Sequence, residues 1–228
     1  MDVRERPRIG KVSYDLNDKP KNEYPFLLLS HVVNDLVRIP ARGVAVDLGC
    51  GRGDHVRAFA RMGFDAVGID RELPPVNDLP RHYICDIAHD RLPLDDNSVD
   101  LVFSKSVIEH LYYFELPHYI GEIKRILKPG GAVVIVTPDW YYCYREFFGG
   151  FTHCTPYTVE SVVDCLNIYN FDAVEGHSLI QLPSVWNAPF MRFLSDVTRL
   201  LPLRRSSKWV RWSKERQALA IGRKPKGA

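Results

Sequence analysis

Two hydrophobic periods alternate along the chain. Short apolar runs rich in β-branched residues occur at Val44–Leu48, Ala66–Ile69, Tyr83–Cys85, Val99–Phe103, Ala132–Val136, Phe171–His177 and Ala218–Ile221. Each has the length and composition of a buried strand. Between them lie stretches with helical spacing: Tyr24–Ile39, closed by Pro40; His55–Met62, closed by Gly63; and Val107–Leu127, interrupted near Pro117 and ended by Lys128-Pro129-Gly130-Gly131. A further helix is predicted over Thr158–Tyr169, with Thr155 or Thr158 as its N-cap. Proline's missing donor and glycine's tolerance of positive φ explain the stops. Strands alternating with helices predict an α/β fold with a mostly parallel sheet covered on both faces.

Residues 1–228 read as one domain with two additions. Residues 1–23 are charged and rich in Pro and Asn, as expected of an arm or lid. Residues 182–216 form a basic, aromatic cap insertion before the last strand. In the cap, Phe190, Phe193, Leu194, Val197, Leu200 and Leu201 follow the i, i+3, i+4, i+7 pattern of an amphipathic helix. The same window holds eight Arg/Lys against Asp196 and Glu215, a local charge of +6 in a chain whose formal net charge is only +2. That balance argues against nucleic acid as the partner of the whole chain. An apolar face beside Arg, Lys and Trp can rest on an anionic membrane; more often such a face packs on the domain or on a second copy in a homodimer.

The five cysteines, Cys50, Cys85, Cys143, Cys154 and Cys165, have irregular spacing and no CxxC pair. They predict neither a disulfide framework nor a zinc site. With a polar N-terminus and no apolar run approaching a membrane span, the chain reads as cytoplasmic.

The chemistry concentrates in Val44-Ala45-Val46-Asp47-Leu48-Gly49-Cys50-Gly51-Arg52-Gly53-Asp54-His55. Here an apolar strand enters a glycine turn and then a helix. Such a turn lets a ligand approach the backbone at the carboxyl end of the first strand. Asp70 ends the next strand, 19 residues beyond Gly51, a position suited to accepting hydrogen bonds from two ribose hydroxyls. A dinucleotide would need GxGxxG and would place its pyrophosphate beside Asp47 and Asp54. A ligand carrying an ammonium and a sulfonium suits those carboxylates better, which points to S-adenosylmethionine.

At these residues the chain resembles the class I S-adenosylmethionine-dependent methyltransferases, in the small-molecule branch with an "EHL" helix start. VDLGCGRG is similar to the family's first motif, and GID to its second. Cys85-Asp86-Ile87 and LPLDDNSVDLVFS are similar to the adenine turn and fourth strand, Glu109-His110-Leu111 to the helix start, and LKPGGAVVIVTP to the approach to strand five. The resemblance spans roughly Arg42 to Val136. It implies a Rossmann-like seven-stranded sheet whose last strand is antiparallel. It further implies that Gly49, Cys50 and Gly51 line the cofactor through their backbone, and that Asp47 meets the ammonium or orders the loop. Asp70 would hold the ribose, Arg71 flank the adenine, Asp86 and the Ile87 amide read the adenine edge, and Ser104 and Lys105 lie near the transferable methyl.

Candidate catalytic residues are His153, in Phe151-Thr152-His153-Cys154-Thr155-Pro156-Tyr157; His110; and Asp139, just beyond strand five. The aromatic loop Trp140–Phe148 is expected to line an acceptor pocket. His31, His55, His82, His89 and His118 read as structural or solvated. No metal is expected, because the acid pairs of metal-dependent relatives are missing after strands four and five. The leading function is O-methylation of a small molecule such as a sugar, glycan or lipid precursor, since the Thr-His…Thr-Pro-Tyr-Thr segment and tail are similar to methyltransferases found beside glycan-assembly enzymes. The alternatives are N-methylation of an amine or amino sugar, and a non-catalytic cofactor-binding regulatory subunit.

Overall fold

The computed structural model describes residues 23–72, 81–204 and 207–227; the arm read at 1–23 lies, apart from Glu23, outside the described residues. The elements run α1 (Tyr24–Ser30, continuing as a π-helix over His31–Val37), β1 (Val44–Leu48), α2 (Asp54–Met62), β2 (Asp65–Asp70), β3 (His82–Ile84), β4 (Val99–Lys105), α3 (Leu116–Ile126) and β5 (Leu127–Pro138). They continue with α4 (Trp140–Cys143), α5 (Val159–Ile168), β6 (Asp172–Ile180), α6 (Pro189–Leu200), α7 (Lys208–Lys214) and β7 (Arg216–Arg223). The seven strands lie in the order β3-β2-β1-β4-β5-β7-β6. β7 runs antiparallel to both of its neighbours, and the other pairings are parallel. This is the Rossmann-like, seven-stranded sheet expected from the sequence.

The period of two sorts the strand residues onto opposite faces. Val46, Leu48, Val67, Ile69, Val102, Val133 and Ile135 face one core layer, closed by α3 and α5 through Tyr119, Ile120, Ile123, Val162 and Leu166. Ala45, Ala66, Leu101, Phe103, Val134 and Val136 face the other, closed by α1 and α2 through Leu28, Leu29, Val32, Val56 and Phe59. With apolar side chains buried on both faces, the inner strands read as continuous hydrophobic runs.

Several boundaries depart from the sequence reading for identifiable reasons. The helix expected over Val107–Leu127 begins only at Leu116, after two 3-10 turns at Ile108–His110 and Tyr113–Glu115. The break comes before Pro117, because the Glu115 carboxylate accepts from the Tyr112 N–H at 2.7 Å and Pro117 falls in the first turn, where a missing N–H costs nothing. Lys128-Pro129-Gly130-Gly131 is not a separate loop but the opening of β5. Gly130 takes φ +81° while its N–H still donates to the Lys224 carbonyl, so the glycine is absorbed as a strand irregularity. The α1 region stops at Val37, one turn short of Pro40, on a left-handed Arg38 with φ 57°. Of the two N-cap candidates for α5, Thr158 is used, in a reciprocal capping box with Ser161.

In the cap, α6 and α7 pack together through a buried Ser195–Ser213 hydrogen bond. They seat on a small cluster of Ile180, Leu182 and Val185, with Trp186, Met191, Trp209 and Trp212 around it. No helix among the described residues is long and apolar enough to cross a membrane.

Candidate active site

Parallel order places the carboxyl ends of β1, β2, β4 and β5 along one edge of the sheet, where ligands of such folds bind. The glycine turn after β1 is held by backbone: Gly49 and Cys50 N–H both donate to the Ile69 carbonyl, at 2.8 and 3.2 Å. Gly49, Gly51 and Gly53 all have positive φ. A Cβ on Gly49 would lie 2.3 Å from Val107 Cγ2. Gly49→Ala therefore combines a left-handed strain of roughly 1–2 kcal/mol with a clash; thermal unfolding should show the loss of stability, and a cofactor titration a weakened site.

Around this turn the carboxylates converge. Asp70 Oδ2 accepts from Gly51 N–H at 2.8 Å and its Oδ1 from Glu72 N–H at 3.3 Å. An ionised carboxylate has about four acceptor directions, so Asp70 ties the turn to β2 and retains capacity for ribose hydroxyls. Asp47 is buried with Oδ2 lacking a hydrogen-bond partner. Burial and the nearby Asp70 push its carboxyl well above the usual range, opposed by Lys105. A buried, incompletely paired acid beside a turn open to close approach fits a cationic ligand. His55, read from sequence as solvated or structural, stands 3.7 Å from Asp47 Oδ2 and is held neutral, its pKa lowered to about 3 by burial. Cys50 packs its side chain inward against Gly68, leaving its backbone to the turn.

The other residues expected at the cofactor have the following surroundings. Asp86 Oδ1 accepts from Ala88 N–H at 3.0 Å and closes the turn around Ile87; the Ile87 side chain is buried in the core, and Arg71 lies just beyond β2. Ser104, expected near the methyl, points into the interior, donating to the Leu48 carbonyl and accepting from Tyr119 OH at 2.7 Å. Lys105 at the end of β4 interacts with both Asp47 and Glu109, and burial lowers its pKa.

A second cluster of polar groups is built where two separate motifs meet. The segment after α4 is strapped onto the segment after β4: Cys154 and Thr155 N–H donate to the Glu109 carbonyl at 2.9 and 3.2 Å, and Thr155 Oγ1 to the Leu111 carbonyl at 2.6 Å. This brings His153 beside His110, ring centroids 4.8 Å apart. It also reveals Glu109, which the sequence reading passed over. A carboxylate oxygen of Glu109 and a ring nitrogen of each histidine lie within 4.8 Å of one another. Glu109 is buried; Oε2 accepts from Thr137 Oγ1 at 2.9 Å, whereas Oε1 has no hydrogen-bond partner. Burial raises its pKa to about 7, against the opposing pull of Thr137 and Lys105. His110 Nδ1, 3.1 Å from the Thr152 carbonyl, must carry the proton there. His153 has a buried Nδ1 without a partner, and burial lowers its pKa. The three groups are the candidate ligands for a cation. The Lys105 charge already acts on Glu109, and a buried acid with one unpaired oxygen beside two histidines is suited to handling a proton. Asp139, the third catalytic candidate, caps α4 by accepting from Tyr141 N–H at 3.1 Å.

His153 lines a cavity of about 150 Å³ together with Pro138, Phe147, Gln181, Arg216 and Gln217. Gln217 Oε1 and Arg216 Nε are buried without partners. The Arg216 guanidinium pairs with Asp196 and lies over the Tyr142 ring, linking α6 to the aromatic loop.

Comparison with known proteins agrees with the cofactor edge. Residues 46–135 match the family model described as a methyltransferase domain. A probable S-adenosylmethionine-dependent methyltransferase of Mycolicibacterium smegmatis is 34% identical over 98 residues, covering 41% of this chain and 37% of that protein. The chain spans about half the length, or less, of the curated relatives it matches. A SAM-dependent methyltransferase from Archaeoglobus fulgidus superposes with a TM-score of 0.64 at 17% identity, covering 88% of this chain and 94% of that one. Phosphoethanolamine N-methyltransferase 2 of Haemonchus contortus, solved with phosphomonomethylethanolamine and S-adenosylhomocysteine, superposes with a TM-score of 0.60 at 16% identity, over 90% of this chain and 56% of that one.

Proposed function

We propose, from the premise that the chain is a class I S-adenosylmethionine-dependent methyltransferase, that it methylates a hydroxyl group on a sugar or sugar-bearing precursor. When bound, S-adenosylmethionine supplies an electrophilic methyl group. Asp47 and Asp70 would hold its charged and ribose ends, and the Gly49-Cys50-Gly51 backbone would define its path. The observation that carries the hydroxyl reading is the cluster of Glu109, His110 and His153, of which His153 lines the neighbouring cavity. A hydroxyl must lose its proton as the methyl arrives, so it benefits from a base; an amine that reacts neutral needs one less. Glu109, whose pKa burial raises to about 7, is the group suited to accept that proton, with His153 orienting the hydroxyl.

The cavity supports the same substrate class. Its lining combines the Phe147 ring with the amide, guanidinium and carboxylate groups of Gln181, Gln217, Arg216 and Glu215, a mixture suited to the apolar face and hydroxyl edge of one sugar ring. Its size is below that of a drug-sized ligand pocket. The structural likeness to an amine methyltransferase keeps an amino sugar as the comparison arm. Offered labelled S-adenosylmethionine with matched glycosides bearing either a hydroxyl or an amine, the enzyme should label the hydroxyl compound. Exclusive labelling of the amine would refute the reading, and tight cofactor binding without any product would favour the regulatory-subunit alternative.

A further inference from the structure

The helix α6 is docked by its polar side. Ser195 bonds Ser213, Asp196 pairs with Arg216, and Lys214 Nζ ties down the following segment through the Leu201 and Leu203 carbonyls at 2.8 and 2.9 Å. Its apolar stripe consequently faces outward: Phe190, Phe193 and Leu200 are 70%, 61% and 73% exposed, with Leu194, Val197, Leu201 and Leu203 also exposed. A helix held in this orientation presents a continuous apolar surface that a monomer has no reason to keep. Exposed Arg192, Lys208 and Arg211 lie in the same two-helix cap.

We infer that α6 lies in the interfacial plane of an anionic membrane, and that the cavity beside it receives an acceptor anchored there. The charge decides among occupants. The cap window carries +6, so pairing two copies through this face would bring like charges together, whereas anionic lipids neutralise them while their acyl region takes up Phe and Leu. Asp196 and Arg216 connect this surface to the cavity wall. Docking stands on the exposed helix alone; only the nature of the anchored acceptor rests on the sugar-hydroxyl reading.

Flotation of the full chain with vesicles containing phosphatidylglycerol tests it. The chain should float with these vesicles at low salt, with recovery falling about tenfold at high salt or on pure phosphatidylcholine. The double substitution Phe193→Asp and Leu200→Asp, both on exposed positions, should abolish flotation while leaving S-adenosylhomocysteine affinity and transfer to a water-soluble acceptor unchanged. Absence of flotation with anionic vesicles would overturn the inference, as would flotation indifferent to the double substitution or a dimer in sedimentation that the same substitutions dissociate. A chain that floats yet transfers no methyl group would instead count against the activity.

Discussion

Glu109→Gln should lower kcat by roughly 10²–10⁴-fold while leaving cofactor affinity intact. The wild-type rate should rise with pH through about 7, where Glu109 loses its proton, and the variant should lack that limb. Stability should move in the opposite sense. The folded-state pKa of Glu109 lies above its unfolded value of 4.5, because burial disfavours the charged form. Its contribution to stability is therefore fully present below pH 4.5 and is lost as pH rises through about 7. Glutamine keeps the acceptor for Thr137 and carries no charge. The variant should match the wild type in thermal unfolding near pH 4 and exceed it at pH 8, by roughly 3 kcal/mol from the pKa difference. An enzyme made more stable and far slower by one substitution identifies a group that serves the reaction. A side chain that only supports the fold would lose both together. His153→Ala should reduce kcat as well, without the gain in stability.

Asp70→Ala is expected to weaken S-adenosylhomocysteine binding by at least about 100-fold, in calorimetric titration against the wild type. One carboxylate performs two tasks there. It anchors the Gly51 N–H at 2.8 Å, and under the proposed function it would hold the ribose hydroxyls. Losing one charge-assisted hydrogen bond costs about 1.5–3 kcal/mol, and the loss of both the anchor and a ribose contact compounds that. Because the Asp70 side chain lies at the strand end and not within either apolar layer, the fold should survive. Unchanged affinity would move the cofactor away from this edge.

The sheet and the glycine turn after β1 were legible because their determinants are local. Val44–Leu48 followed by Gly49-Cys50-Gly51 gives a strand, a turn and a ligand approach within a few residues, and Asp70 lies at a fixed distance along the next strand. The acceptor side depends on a contact made at long range. Glu109 and His153 are joined by the Cys154 and Thr155 hydrogen bonds to the Glu109 carbonyl, which no periodicity announces. Glu109 itself looked like an ordinary acid in a helix start, and only its burial and its unpaired oxygen mark it. Spacing also assigned α6 its amphipathic stripe correctly, yet could not tell which side docks. That was decided by Ser195 and Asp196, small and polar residues whose partners Ser213 and Arg216 are remote in sequence. Ser104 was expected near the transferable methyl from its place at the end of β4; the strand's alternation turns its side chain toward Tyr119.

The most direct test is a crystal structure of the chain with S-adenosylhomocysteine. The ribose should lie on Asp70, the amino acid end near Asp47, and the sulfur should face the Glu109–His153 cluster, with room for an acceptor oxygen about 3 Å from where the methyl of S-adenosylmethionine would lie. A sulfur turned away from that cluster, or a ligand bound elsewhere than at Gly49-Cys50-Gly51, would contradict this arrangement.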